Sequence, residues 1–208
     1  MVKIFTILAV SAIGFFTNSF AAEGDMIPCP QPKVGSSFEY SIKNFGTTKT
    51  EMFTIMKVDN GGIETTLNGE SVRQFDKNLN PIKFWSNSIL DTKYPMMPEC
   101  PFAFGATNTY SDIRYKAPSG AEVNAKFTVN ADHKLTAIKT LAGEFSVIKI
   151  TVDSTFLFSG SRGSGFGQSR TISYYSPDLG MLVKSDYSVA TTGERNSVTR
   201  ELVSIKKE

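Results

Sequence analysis

The sequence predicts an all-β protein. Three observations carry this: apolar residues recur at every second position, turn-forming residues punctuate the chain at short intervals, and no stretch keeps a helical period. Phe38, Tyr40 and Ile42 alternate with Glu39, Ser41 and Lys43, and Ala121, Val123, Ala125, Phe127 and Val129 alternate with Glu122, Asn124, Lys126 and Thr128. Successive side chains of a strand point to opposite faces, so each run has one wet and one dry face. Asn60-Gly61, Asn68-Gly69, Pro118-Ser119-Gly120, Asn130-Ala131-Asp132 and Ser176-Pro177-Asp178-Leu179-Gly180 have hairpin-turn chemistry, which predicts antiparallel neighbours.

Taken in order, the first twenty-two residues, MVKIFTILAVSAIGFFTNSFAA, have the pattern of an export signal. Lys3 supplies the positive start, Ile4 to Phe16 a short apolar run, and Ser19-Phe20-Ala21 the small-x-small cleavage pattern. The mature chain is expected to begin at Ala22 or Glu23 and to be periplasmic or secreted. The apolar run is too short for a membrane span. Cys29 follows Met26-Ile27-Pro28 rather than the small residues that end the signal, which argues against lipid anchoring. About 186 residues then remain, enough for a single exported β-domain over 23–208 with one core.

Strands are predicted over 36–44, 49–58, 62–68, 71–76, 106–115, 121–130, 134–140, 145–158, 168–175, 181–189 and 197–206. Such a series predicts a strongly curved antiparallel sheet or incomplete β-barrel. Met52–Val58 and Phe145–Phe158 are apolar on both faces, which calls for central positions or for material packed across the second face. Two segments break the rhythm. From Asn80 to Gly105, with Pro81, Pro95, Pro98 and Pro101, the chain is expected to be irregular and to form either a covering or binding element or a plug that completes the core. The Gly- and Ser-rich stretch Ser159–Ser169 is expected to be a mobile hairpin tip, either a plain solvated loop or a flexible ligand flap carrying Phe166.

Two cysteines, Cys29 and Cys100, both beside prolines, fit a disulfide in an oxidising compartment. Closing a loop of roughly seventy residues would stabilise the fold by about 4 kcal/mol. Removing Lys3 leaves 21 basic against 20 acidic residues, so no charge excess draws the chain to nucleic acid or anionic lipid.

Standard catalytic and metal constellations are not found. His133 is the only histidine and sits in a turn, so zinc sites built on paired histidines are excluded. Neither a G-x-S-x-G elbow nor a phosphate-cradling loop occurs. Most carboxylates, Asp76 among them, stand beside turns or on polar strand faces, where solvation is the ordinary explanation. Asp153 lies in an apolar strand and would be a site candidate if buried, while an outward-facing position is the commoner one.

The run Thr140-Leu141-Ala142-Gly143-Glu144-Phe145-Ser146-Val147-Ile148-Lys149-Ile150 is followed by Tyr174-Tyr175-Ser176-Pro177-Asp178-Leu179-Gly180-Met181-Leu182-Val183-Lys184. Together they resemble the bacterial periplasmic proteins grouped as DUF3108 or TapB-like domains, where AG-x-F opens a strand and W/Y-Y-S-P-x-x-G-x-x-V-K forms a hairpin. Phe102-Ala103-Phe104-Gly105 before Thr107-Asn108-Thr109-Tyr110, and the closing Arg200-Glu201-Leu202-Val203-Ser204-Ile205, are also similar to that family. The match covers roughly residues 100–206. It implies a curved antiparallel sheet related in appearance to the half-barrel of lipoprotein carriers such as LolA, and it supplies no catalytic residues.

The resulting expectation is a non-enzymatic exported binding protein that accepts an apolar ligand, a lipid or acyl chain, on a concave sheet face. Candidate lining residues are Phe84, Trp85, Met96, Met97, Phe102, Phe104, Phe156 and Phe158. The alternative is an envelope interaction scaffold whose sheet fills its own core, with an exported hydrolase ranked last. No cofactor, metal or nucleic-acid partner is expected. An empty apolar cavity would favour the first reading, a filled core the second.

Overall fold

Backbone pairing follows the period-two pattern almost strand for strand. The computed structural model describes residues 26–59, 62–85, 88–89, 95–117, 120–161 and 163–206, with 71, 83–85 and 88–89 described by backbone alone. The export-signal segment and the Asn60-Gly61 turn lie outside the described residues. The N-terminal half supplies β1 (Met26–Ile27), β2 (Ser37–Asn44), β3 (Thr47–Asp59), β4 (Gly62–Leu67), β5 (Ser71–Phe75), β6 (Pro81–Trp85) and β7 (Ser88–Ile89). After β8 (Phe102–Ala103) come β9 (Thr107–Lys116), β10 (Glu122–Ala131) and β11 (Thr136–Thr140). The chain ends with β12 (Gly143–Gly160), β13 (Gly163–Ser176), β14 (Met181–Thr191) and β15 (Arg195–Lys206).

All but β1 and β8 join one antiparallel sheet of order β7-β6-β5-β4-β3-β2-β15-β14-β13-β12-β10-β9, with β11 also paired to β12. The sheet is strongly curved and not closed into a barrel, and no described residue is helical. It consists of two meanders, β2 to β7 and β9 to β15, joined where β15 pairs with β2, for example Leu202 opposite Tyr40. Bulges interrupt the ladders between Ala125 and Phe127, Tyr174 and Tyr175, Leu202 and Ser204, and Ile55 and Lys57. Each inserts a residue on one strand and adds local twist, which bends so wide a sheet into a trough.

Alternation places the core on the inner face of that trough. In β12, Ile150, Val152 and Ser154 are buried while Thr151 and Asp153 are partly exposed. The buried set continues sideways through Phe127 and Val129 of β10, Leu202 of β15, Phe38 and Tyr40 of β2, and Phe53 and Ile55 of β3. At the hairpin end of β12 the second face is open, since Leu157 is 62% exposed. Double-sided burial is confined to Val147 and Ile148 at the other end.

One end of the trough is stoppered. Cys29 and Cys100 form the expected disulfide, with Cα atoms 4.9 Å apart. Beside it β1 pairs with β8 as a two-stranded ladder. Leu79, Met97, Cys100 and Phe102 all enter the hydrophobic core. The covering segment is thus a plug over its described part, and it is less irregular than expected because β6 and β7 extend the sheet.

A polar knot fixes the plug. Asp76, Asn78 and Asn80 are only 6%, 2% and 4% exposed. Oδ1 of Asp76 accepts the backbone N–H groups of Asn78 and Asn80 at 2.8 and 2.9 Å, and Oδ2 accepts the Asn80 side-chain amide at 3.1 Å. Asn78 and Asn80 in turn accept the backbone N–H groups of Cys100, at 2.9 Å, and Met96, at 2.6 Å. The solvated role expected for Asp76 is therefore corrected: it sits beside a turn, but the turn is buried under the plug. A buried carboxylate is tolerable there because donors meet both oxygens.

Candidate binding surfaces

The candidate lining residues divide into separate groups. Met97 and Phe102 are core residues, and Met96 and Phe104 are half-buried near them. Phe156 and Phe158 lie at the hairpin end of the inner face, half-buried, with ring centroids 6.3 Å apart. The side chains of Phe84 and Trp85 lie outside the described residues.

Near Phe156 and Phe158 the inner face closes over a lane of small residues. β13 presents Gly165, Gly167, Ser169, Thr171 and Ser173 to this side, opposite Phe158, Phe156, Ser154, Val152 and Ile150 of β12. A Cβ on Gly167 would stand 2.4 Å from the Phe156 ring, and one on Gly165 2.8 Å from the Phe158 ring. These glycines accept aromatic rings, so the stretch expected to be a loop is strand from Gly163 onward. Phe166 belongs to the opposite face, paired with Leu157 and 49% exposed. The sequence did contain the signal: small residues at 165, 167, 169, 171 and 173 alternate with Phe166, Gln168, Arg170, Ile172 and Tyr174.

Larger side chains from the flanking strands fill the space above that lane. The Ser154 and Ser169 hydroxyls are 2.8 Å apart, and Tyr187 shares a hydrogen bond with Ser169. Tyr115 comes close enough to Tyr187 for the two to interact electrostatically. Burial pushes the Tyr115 hydroxyl up to about 12, and the neighbouring Tyr187 adds to the rise. Burial raises Tyr187 as well. Toward the plug, the Arg200 guanidinium lies 5.8 Å from the Tyr40 ring centre and 5.4 Å from that of Phe53, and it donates to Glu51 at 3.3 Å.

The outer face is different. An open groove of about 880 Å³ crosses β10, β12, β13, β14 and β15 and ends at Phe45 in the β2–β3 turn. Its lining includes Lys126, Thr128, Asp153, Thr155, Gln168, Arg170, Ser188, Arg195 and Ser197. Asp153 therefore takes the outward position: its carboxylate accepts from Arg170 Nε at 2.6 Å. A second groove, of about 940 Å³, lies near the β12–β13 tip around Arg114, Lys116, Glu122 and Leu157. His133 is exposed and stands against Gly105. Among the described residues no three His, Cys, Asp or Glu side chains gather as a metal site, and no helix is long and apolar enough to cross a membrane.

No family model matches the chain, and no curated protein matches it. Two crystal structures resemble it distantly. One is a protein from Bacteroides fragilis described as exported with a YmcC-like fold, at TM-score 0.42 and 11% identity over 87% of this chain and 100% of that one. The other is a protein from Parabacteroides distasonis described as a lipoprotein, at TM-score 0.44 and 12% identity over 86% of this chain and 99% of that one.

Proposed function

We propose that this protein works outside the cytoplasm as a non-enzymatic binding protein, and that it meets another envelope component with the outer face of its sheet. One observation carries the reading: the inner face is occupied by the chain itself, by Met97, Phe102 and Leu79 at one end and by aromatic rings over glycines at the other. The open grooves described above lie on the outer face and are lined mostly by polar side chains. Export is supported by the signal-like N-terminus and by the Cys29–Cys100 bridge, since disulfides persist in oxidising compartments. A non-enzymatic role is supported by Asp153, the one carboxylate singled out as a catalytic candidate, which is partly exposed and tied to Arg170.

The apolar-ligand reading has one observation in its favour. Ile113, Tyr115, Phe156 and Phe158 form a half-buried apolar row at the hairpin end of the inner face. A photoreactive phenylalanine analogue placed at Thr155 on the outer face, or at Tyr115 on the inner, separates the two. Adducts from Thr155, with no stoichiometric lipid in organic extracts of the purified protein, are the expected result. Adducts from Tyr115 together with a stoichiometric lipid would move the function to the inner face.

A further inference from the structure

The near-zero net charge conceals a local asymmetry. Lys126, Arg170 and Arg195 line the outer groove that ends at Phe45 against a single carboxylate, Asp153. That carboxylate engages Arg170 through Nε, which fixes the plane of the guanidinium and leaves its two terminal amino groups available. A guanidinium held in this way is a fork suited to two oxygens of a carboxylate, sulfate or phosphate. Among the described residues, Lys126 and Arg195 form no ion pair. Between the cations lie uncharged hydrogen-bonding side chains, such as Thr155 and Gln168.

Phe45 at the groove's end is the second, independent observation. It is 73% exposed and has φ +45°, followed by Gly46 at +79°. Two positive φ values in a two-residue hairpin loop define a turn that favours Asn-Gly, and a bulky side chain there is strained. The fold gains little packing from so exposed a ring. Strain retained without a packing return points to use at a site. An aromatic face beside hydroxyl and amide groups suits the apolar face of a sugar ring.

We infer that the outer groove binds an anionic glycan, with Arg170, Lys126 and Arg195 holding its acidic groups and Phe45 stacking on a sugar ring. This rests on the outer-face reading and names the chemistry of the partner. A glycan is favoured over an acidic peptide because the groove runs across the strands, whose backbone groups are already paired, and so offers no edge for strand addition. Because net charge gives no long-range attraction, recognition depends on positioned groups and should persist at about 0.15 M salt.

The test titrates the disulfide-intact mature chain with four probes: an oligogalacturonate, a heparin-derived oligosaccharide, a neutral malto-oligosaccharide of matching length and polyglutamate. One or both acidic sugars should bind at least about tenfold more tightly than the neutral one, and which of them binds distinguishes a carboxylate from a sulfate ligand. Arg170→Gln should weaken that binding about tenfold. Phe45→Asn, which suits the turn and keeps the fold, should weaken it several-fold, and Phe45→Tyr should restore it. Equal binding of polyglutamate with no effect of Phe45→Asn would replace the glycan by an acidic protein segment. Failure of both acidic sugars to bind folded protein would overturn the inference. Persisting adducts from Thr155 would then leave the outer-face reading standing, and their loss would remove both.

Discussion

Two buried tyrosines show how surroundings set the value of a hydroxyl. Tyr40 donates to the Leu182 carbonyl at 2.7 Å, and its ring meets Phe53 edge-on at 5.8 Å. Tyr175 is equally buried, but its hydroxyl has no partner among the described residues. Replacing Tyr40 with Phe should cost about 1 kcal/mol in urea unfolding, because it orphans a carbonyl as well as removing a bond. Tyr175→Phe should be neutral or stabilising, since it removes an uncompensated desolvation cost. Burial raises the hydroxyls of Tyr110, Tyr115, Tyr175 and Tyr187, and also that of Tyr40 despite the opposing charge of Arg200. In the folded state they hold their protons above the unfolded value of about 10. Stability is therefore full below pH 10 and falls as pH rises toward 12, the folded value of Tyr115. Each tyrosine still protonated in the fold but ionised when unfolded contributes a loss of about 1.4 kcal/mol per pH unit. Urea midpoints measured from pH 8 to 12 check this, and a flat profile would contradict it.

Among the elements, the β12–β13 hairpin shows why composition misleads. Glycine and serine are common loop formers, but in this setting they are the small half of a strand alternation that makes room for Phe156 and Phe158. Gly167→Ala should cost about 1–3 kcal/mol by overpacking against the Phe156 ring. The same change should cost less in a Phe156→Leu background, and a double-mutant cycle reads that coupling. The turn at 76–80 carries the other element-scale test. Asp76→Ala would leave the Asn78 and Asn80 amides unpaired and should destabilise by about 3 kcal/mol or more. Amide exchange should accelerate first at Met96 and Cys100, which this turn holds through Asn80 and Asn78.

For the whole molecule, the decisive pairing is β15 with β2, because it joins two meanders that each pair locally. The N-terminal arm binds the assembly in a second way. A Cβ on Gly180, in the β13–β14 turn, would lie 2.8 Å from the backbone of Gln31 and Pro32, so the arm rests on that turn. Two residues earlier in the chain, Cys29 bonds to Cys100 across a separation of 71 residues. Reduction should lower stability by about 4 kcal/mol, seen as a drop in the urea midpoint under reductant, and an unchanged midpoint would show that the bridge does not constrain the unfolded chain.

The sequence by itself determined what is local. Alternation set most strands, Ser176–Gly180 formed its turn with the Gly180 N–H bonding the Ser176 carbonyl at 3.0 Å, and a sequence with two cysteines specified their bridge. Each depends on neighbours along the chain or on a pairing with one possible partner. Only the tertiary structure decided which strand joins the two meanders, that Asp76 is buried, that Phe166 faces outward, and that a near-neutral chain gathers three cations around one groove. Those outcomes depend on curvature and register summed over the whole sheet, where a bulge or a shift of one residue moves side chains between faces, and no short stretch of sequence records that sum.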